Sequence, residues 1–180
     1  MASGSVTSQR GPLRCIQKRQ FRMTTDSRHS FTVADNILGQ RFYATAPGRV
    51  WVTDITYIPT DEGWLHLAGY KDLYTRVIVG SSMGSRMTKS LVTRSLLQAV
   101  SMKRPETGLV HHSDRGSQYC AHDYRKLLDQ FQMRCSMSGK GNSYDNPLME
   151  SFWGTLKTEL VFHSHFRTRG EAIRQITEYI

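Results

Sequence analysis

Cysteine is scarce and badly placed for structure in this 180-residue chain: Cys15, Cys120 and Cys135 are odd in number and form no CxxC pair. A disulfide-built scaffold and a zinc ribbon are therefore excluded, and a reducing cytosol is the compartment to expect. No run approaches the roughly 18 apolar residues of a membrane span, and the opening MASGSVTSQRGPL lacks the apolar stretch of a secretory leader. Neither a membrane partner nor export is expected. Acidic residues are also few, 15 Asp and Glu against 24 Lys and Arg, which leaves a net charge of +9.

That surplus is uneven. The first fifty residues carry Arg10, Arg14, Lys18, Arg19, Arg22, Arg28, Arg41 and Arg49 against Asp26 and Asp35, a net +6, and the remaining 130 residues carry +3. A basic arm ahead of a nearly balanced domain suits a polyanion, most often nucleic acid. On charge alone a solubilising leader fits equally well. Residues 1–40 are rich in Ser, Thr, Gly, Gln and Arg and keep no helical or strand period, so they read as poorly ordered. With the turn signal ATAPGRV at 44–50, this divides the chain into a basic arm and linker at 1–43 and a folded domain at 44–180. The arm is expected to attract DNA without regard to sequence and to add little to core stability.

From Val50 the texture changes. VWVTDITYI (50–58) is β-branched and aromatic with apolar residues on both faces, as in a strand covered on both sides. WLHLAGYKDLY (64–74) and RVIVGSSMG (76–84) follow at short spacing and predict an antiparallel meander. A helix is predicted over 88–103, a short strand at 109–112 entering the polar loop SDRGSQYC, and a helix over 122–132. A fifth strand at 133–138, a Gly-containing loop at 138–146 and helices from 147 and 168 complete the order. In the first of these two helices Asn146 can cap and Pro147 takes the first position. A meander followed by α/β units implies an α/β domain with a mixed five-stranded sheet flanked by helices. That is the layout of a ribonuclease H-like fold, although order alone also allows other α/β sandwiches.

Asp54 stands out because it interrupts a run that otherwise belongs in a buried central strand. An unpaired buried carboxylate costs on the order of several kcal/mol, so a basic partner, hydrogen bonds from Thr53 or Thr56, or a metal ion should compensate it. Asp114 sits where a short apolar strand meets a loop, the place where α/β sheets gather functional groups. Glu150 lies in the first turn of the helix from Pro147, where the positive helix end favours a carboxylate, and outside the apolar stripe. Lys157, seven residues on, returns to within about 20° of it. Each acid alone has a structural explanation, as a hydrogen-bonding, turn-forming or dipole-complementing residue. Together they have a spacing: 35 residues separate Asp114 from Glu150.

This D…D(35)E…K pattern is that of the retroviral-integrase and transposase superfamily. WVTDITYIPT, LVHHSDRGSQYCAHDYRKLL and SMSGKGNSYDNPLMESFWGTLKTEL closely resemble the catalytic core of bacterial insertion-sequence transposases of the IS-three family, from about Thr24 to Ile180. The resemblance implies DNA cleavage and strand transfer by metal-dependent phosphoryl transfer, with Asp54, Asp114 and Glu150 holding two Mg²⁺ or Mn²⁺ ions. Three oxygen ligands suit such hard cations. It further implies DNA contacts by Lys157 and by Asn142, Tyr144 and Asn146, which belong to the family word before Glu150. Arg115, Arg125 and Lys140 are candidate phosphate contacts. His111 and His112 lack a third ligand at zinc spacing and read as strand residues framing Asp114. Trp51, Trp64 and Trp153 read as core.

Relative to the family pattern the chain is expected to be truncated at both ends, with no helix-turn-helix module in residues 1–40. The expected partners are DNA, further copies of the chain on that DNA, and a second transposase polypeptide carrying a helix-turn-helix. Two alternatives stay open: a ribonuclease H-like nuclease, and an inactive remnant that only binds DNA or an intact transposase.

Overall fold

The computed structural model, which describes residues 31–39, 41–139 and 146–180, puts the run Val50–Ile58 (β1) at the centre of a five-stranded sheet. The strand order is β3-β2-β1-β4-β5. β2 (Leu65–Asp72) and β3 (Ile78–Gly84) form the predicted antiparallel meander with β1, and β4 (Val110–Ser113) and β5 (Arg134–Met137) join in parallel. β1 is apolar on both faces because both are covered. Trp51 and Ile55 enter a core with Leu91, Leu96, Tyr124 and Leu128, supplied by α1 (Lys89–Lys103) and α3 (His122–Gln130). Val52 and Ile58 enter a second core with Met149, Trp153, Leu156, Ala172 and Ile176, supplied by α4 (Pro147–Glu159) and α5 (Arg169–Tyr179). Among the described residues no helix is long and apolar enough to cross a membrane.

Between β4 and α3 the loop SDRGSQYC is not irregular throughout: Ser117–Cys120 closes one helical turn, α2, whose Tyr119 and Cys120 are buried. Such a turn is too short to leave a period in sequence.

The described part of the arm differs from the poorly ordered reading of residues 1–40. Residues 32–38 run beside β5 and are fastened to it. The N–H of Met137 donates to Asp35 O at 3.3 Å, and Ile37 N and Leu38 N donate to Ser136 Oγ at 3.0 and 3.3 Å. Arg125 Nη1 donates to Thr32 O at 3.1 Å. Leu38 is buried in the α4–α5 core, while Phe31 stays 47% exposed. Ser136 Oγ also lies 2.9 Å from His112 Nδ1. Because two backbone N–H groups occupy its lone pairs, the hydroxyl proton is left to donate to Nδ1. The segment thus protects an otherwise open sheet edge and is tied through Ser136 to β4, close to Asp114.

Ser136→Ala should take an acceptor from Leu38 N and a donor from His112 Nδ1, while Ile37 N keeps Asp35 O at 3.1 Å. We expect a loss of about 2 kcal/mol and a melting temperature lower by roughly 4–8 °C for a chain of this size. Deleting 1–39 should lower it by at least as much. A Ser136→Ala protein that melts with wild type would show that the segment is not held as described.

Candidate active site

The two aspartates are brought together by strand register. β1 and β4 pair at Val50–Val110, Trp51–His111 and Val52–His112, and no later pair joins them. Asp54 and Asp114 each lie two residues beyond the last pair. β4 ends at Ser113, so Asp114 opens the loop beyond it while Asp54 continues in β1, and the charge of Asp114 reaches Asp54 where the strands diverge. The electrostatics agree with that placement. The Asp54 carboxyl is pushed up to about 7, first by burial and then by the charge of Asp114, while hydrogen bonds from the Ile55 backbone and Trp153 pull it back. Glu150 adds a smaller push. Trp153 Nε1 donates to Asp54 Oδ2 at 3.0 Å, so the indole takes the part expected of Thr53 or Thr56. Thr53 instead turns to the other face, where its hydroxyl lies 3.0 Å from that of Tyr119. Asp114 is shaped by its own loop, its Oδ1 accepting from Gly116 N at 2.9 Å.

α4 carries the third acid. Asn146, Glu150, Trp153 and Lys157 are spaced by four, three and four residues, so they fall within about 60° of one another on the helix. Asn146 precedes the helix, but its side chain makes no cap. Its Nδ2 donates to Thr53 O at 2.9 Å, on the β1 edge that β4 has left, and its Oδ1 is buried without a partner among the described residues. Glu150 is exposed, yet the sheet and helix beside it take away part of its solvent and raise its carboxyl above the usual range. Lys157 Nζ stands 4.8 Å from the centre of the Tyr57 ring. Partial burial lowers its ammonium pKa while the Asp54 charge raises it.

All three carboxylates are hard oxygen donors, and a cation would relieve the repulsion that raises Asp54. The residues fit a divalent ion in kind and in charge. Among the described residues, however, no three His, Cys, Asp or Glu side chains form a closed ligand set. The charge of Asp114 bears on Asp54 more strongly than that of Glu150, which stands at the rim.

The other predicted positions divide. Arg115 is partly buried and its Nε donates to Ser138 O at 2.6 Å. Arg125 holds the Thr32 carbonyl. Lys140, Asn142 and Tyr144 lie outside the described residues. His111 and His112 are buried strand residues, as expected. His111 Nε2 meets the hydroxyls of Tyr70 and Tyr124 at 3.0 and 2.9 Å, and burial holds its pKa down at about 3. Trp51 and Trp153 are core, but Trp64 is 41% exposed and packs edge-on against Tyr57, contrary to its core reading, because it precedes the first paired residue of β2. A concavity of about 370 Å³, lined in part by Arg49, Lys103 and Arg104, includes none of the three acids.

A β3-β2-β1-β4-β5 sheet with two acids at the divergence of β1 and β4 is the ribonuclease H-like core of the integrase type. The fold is that of the HTLV-2 integrase catalytic core domain in complex with magnesium (TM-score 0.53, 18% identity, 63% of this chain and 70% of that one). It is also that of a chain in the simian T-cell lymphotropic virus intasome bound to PP2A regulatory subunit B56 gamma (TM-score 0.60, 19% identity, 74% of this chain and 45% of that one). Residues 44–143 match a family model described as "Integrase core domain", and residues 131–180 match a second of the same description. The chain belongs to this integrase core domain family. It is 58% identical over 168 residues to the Insertion element IS600 uncharacterized 31 kDa protein of Shigella sonnei, covering 93% of this chain and 62% of the relative. It is 40% identical over 176 residues to Transposase InsF for insertion sequence IS3A of Escherichia coli strain K12, covering 98% and 61%. The chain thus spans about three fifths of the length of these relatives.

The Asp54 shift carries a sign that can be measured. Its folded pKa lies above the ordinary 3.8, so the folded chain holds this proton more tightly than the unfolded chain does. Stability from this group is complete at low pH, falls as pH rises between about 4 and 7, and stays lost above that. His111 acts oppositely: its contribution is present above 6.5 and is lost as pH falls toward 3. It cancels when Asp54→Asn is compared with wild type. The melting-temperature advantage of Asp54→Asn should grow from about pH 5 to pH 8, and Mg²⁺ should shrink it at pH 8. A difference that is flat with pH would mean the carboxyl is not displaced.

Proposed function

We propose that this chain is the catalytic core of a DNA transposase, cleaving at transposon ends and joining the freed 3′-hydroxyl to target DNA. The observation that supports this most is the placement of Asp54 and Asp114 at equal offsets beyond the last β1–β4 pair, with Glu150 on the helix that docks beside them. Asp54, Asp114 and Glu150 would hold divalent cations, which supply charge neutralisation to the attacking and leaving oxygens of an in-line displacement at phosphorus. Asp54 would be shared and the other two acids would each hold one ion. The raised Asp54 carboxyl keeps the metal-free site partly protonated near neutral pH, so loading the site releases a proton from this residue.

Around the acids the chain's task is to hold DNA. Lys157 lies within electrostatic reach of Asp54 and on the same helix face as Glu150, so a phosphate bound to its ammonium sits beside the acids. Its partial burial strengthens that contact, because a less solvated ammonium gives up less water on binding. Arg115, held to Ser138 O through its Nε, would add its positive charge to the hold on the same strand. Working partners would be DNA, further copies of this chain, and a polypeptide that recognises the element's ends.

Purified protein with Mn²⁺ or Mg²⁺ and a supercoiled plasmid should show nicking. Joined DNA ends among the products distinguish a transposase from a plain nuclease. Glu150→Gln removes a ligand charge and keeps the side chain's size, so nicking should fall about a thousandfold or more with DNA affinity retained. Lys157→Ala should weaken DNA binding and flatten its salt dependence by about one counterion. Equal loss of binding in both variants would show that the roles are wrongly divided, and wild type that never nicks DNA with either metal would overturn the reading.

A further inference from the structure

Trp153 packs as a core residue should, 5% exposed between α4 and the sheet with Met149 and Leu156. One atom does not belong to that role. A buried indole N–H needs an acceptor, and the acceptor here is Asp54 Oδ2 at 3.0 Å. The ring reaches it across a hollow on that face of the sheet. The residue opposite Asp54 on β2 is Gly69, and a Cβ on Gly69 would lie 2.8 Å from Trp153 Cη2 and 3.3 Å from Cζ2 and from Met149 Cε. Glycine in a strand interior forgoes roughly 0.5–1 kcal/mol relative to alanine, and here the space it leaves is filled by the indole. Seven residues earlier, Asn146 Nδ2 holds Thr53 O at 2.9 Å. One face of α4 therefore grips two successive residues of β1, at points on either side of Glu150.

We propose that Trp153 is a positioning residue for Asp54: its N–H fixes one carboxylate oxygen against α4 and leaves the other to the bound cation, and Gly69 is the hollow that admits the ring. Packing alone would be satisfied by any large apolar side chain at 153. The donor matters because a lone carboxylate at a diverging strand edge can rotate, whereas one bonded to a buried, immobile indole cannot. The bond also sets the Asp54-to-Glu150 geometry, since donor and Glu150 share a helix. This inference rests on the metal-dependent reading above.

The test uses the full chain without DNA. Nitrogen-15 NMR displays the indole N–H signals of Trp51, Trp64 and Trp153, and Trp153→Phe identifies the last. Asp54→Asn should move the Trp153 signal and leave that of Trp51, whose Nε1 donates to Asp72 Oδ2 at 3.2 Å, in place. Mn²⁺ affinity is then measured by calorimetry. Trp153→Phe keeps a ring and loses the donor, and Gly69→Ala pushes the ring away without touching Asp54. Each should weaken Mn²⁺ binding roughly 10- to 100-fold, the usual effect of losing a partner of a metal ligand, with backbone amide spectra otherwise preserved. A Trp153 signal indifferent to Asp54→Asn overturns the proposal, as does Trp153→Phe binding Mn²⁺ like wild type. If either core variant fails to fold, the Asp54→Asn spectrum decides. Failure of the metal-dependent reading itself is seen separately, as wild type that binds no Mn²⁺ while the indole signal still answers to Asp54→Asn.

Discussion

Keeping a carboxylate in a central strand that is covered on both faces is the constraint to which the rest of this site answers. Burial alone opposes the charge of Asp54, and Asp114 opposes it further. The structure relieves this without a basic side chain in the strand. β4 parts from β1 after His112, so the carboxylate stands beside a break on one side of β1 while Gly69 of β2 still pairs with it on the other. α4 seals the break with two donors, the Asn146 amide and the Trp153 indole. What results is a carboxylate that is ordered but incompletely compensated. That residual deficit is what makes the position suited to a cation.

The opposite face of β1 is built differently. There Thr53, Tyr119, Tyr70, Tyr124 and His111 form a buried set of hydroxyl and imidazole contacts. Burial raises the tyrosines and lowers the histidine, so every member is neutral near pH 7. A neutral, internally bonded layer beneath a charged one lets β1 be rigid on one side and ionic on the other.

Much of this was legible in sequence. The strand run at 50–58, the meander, α1 and the amphipathic α4 announce themselves by period, and the acids by spacing. The structure departs from that reading where order has no period. Residues 32–38 are held by scattered bonds from their backbone to Ser136, Met137 and Arg125, which any backbone can make, so composition alone read them as unordered. Asn146 looked like a helix cap because its position before Pro147 suits one, yet its amide is spent on a strand far away in sequence. Trp153 looked like core and is core. Only the pairing of Asp54 with Gly69 could have hinted at its second role, and pairing is a property of the sheet.

The single face shared by Asn146, Glu150, Trp153 and Lys157 bears on how such a chain can change through time. A substitution in α4 alters one contact, but one inserted or deleted residue between Asn146 and Lys157 turns everything beyond it by about 100°. It would part the clamp from the acid, or the acid from the base, in one event. Length variation should therefore be selected against in α4. Spacing near the helix is thus a heritable mechanical dimension, in which one slip parts groups that no single substitution would separate.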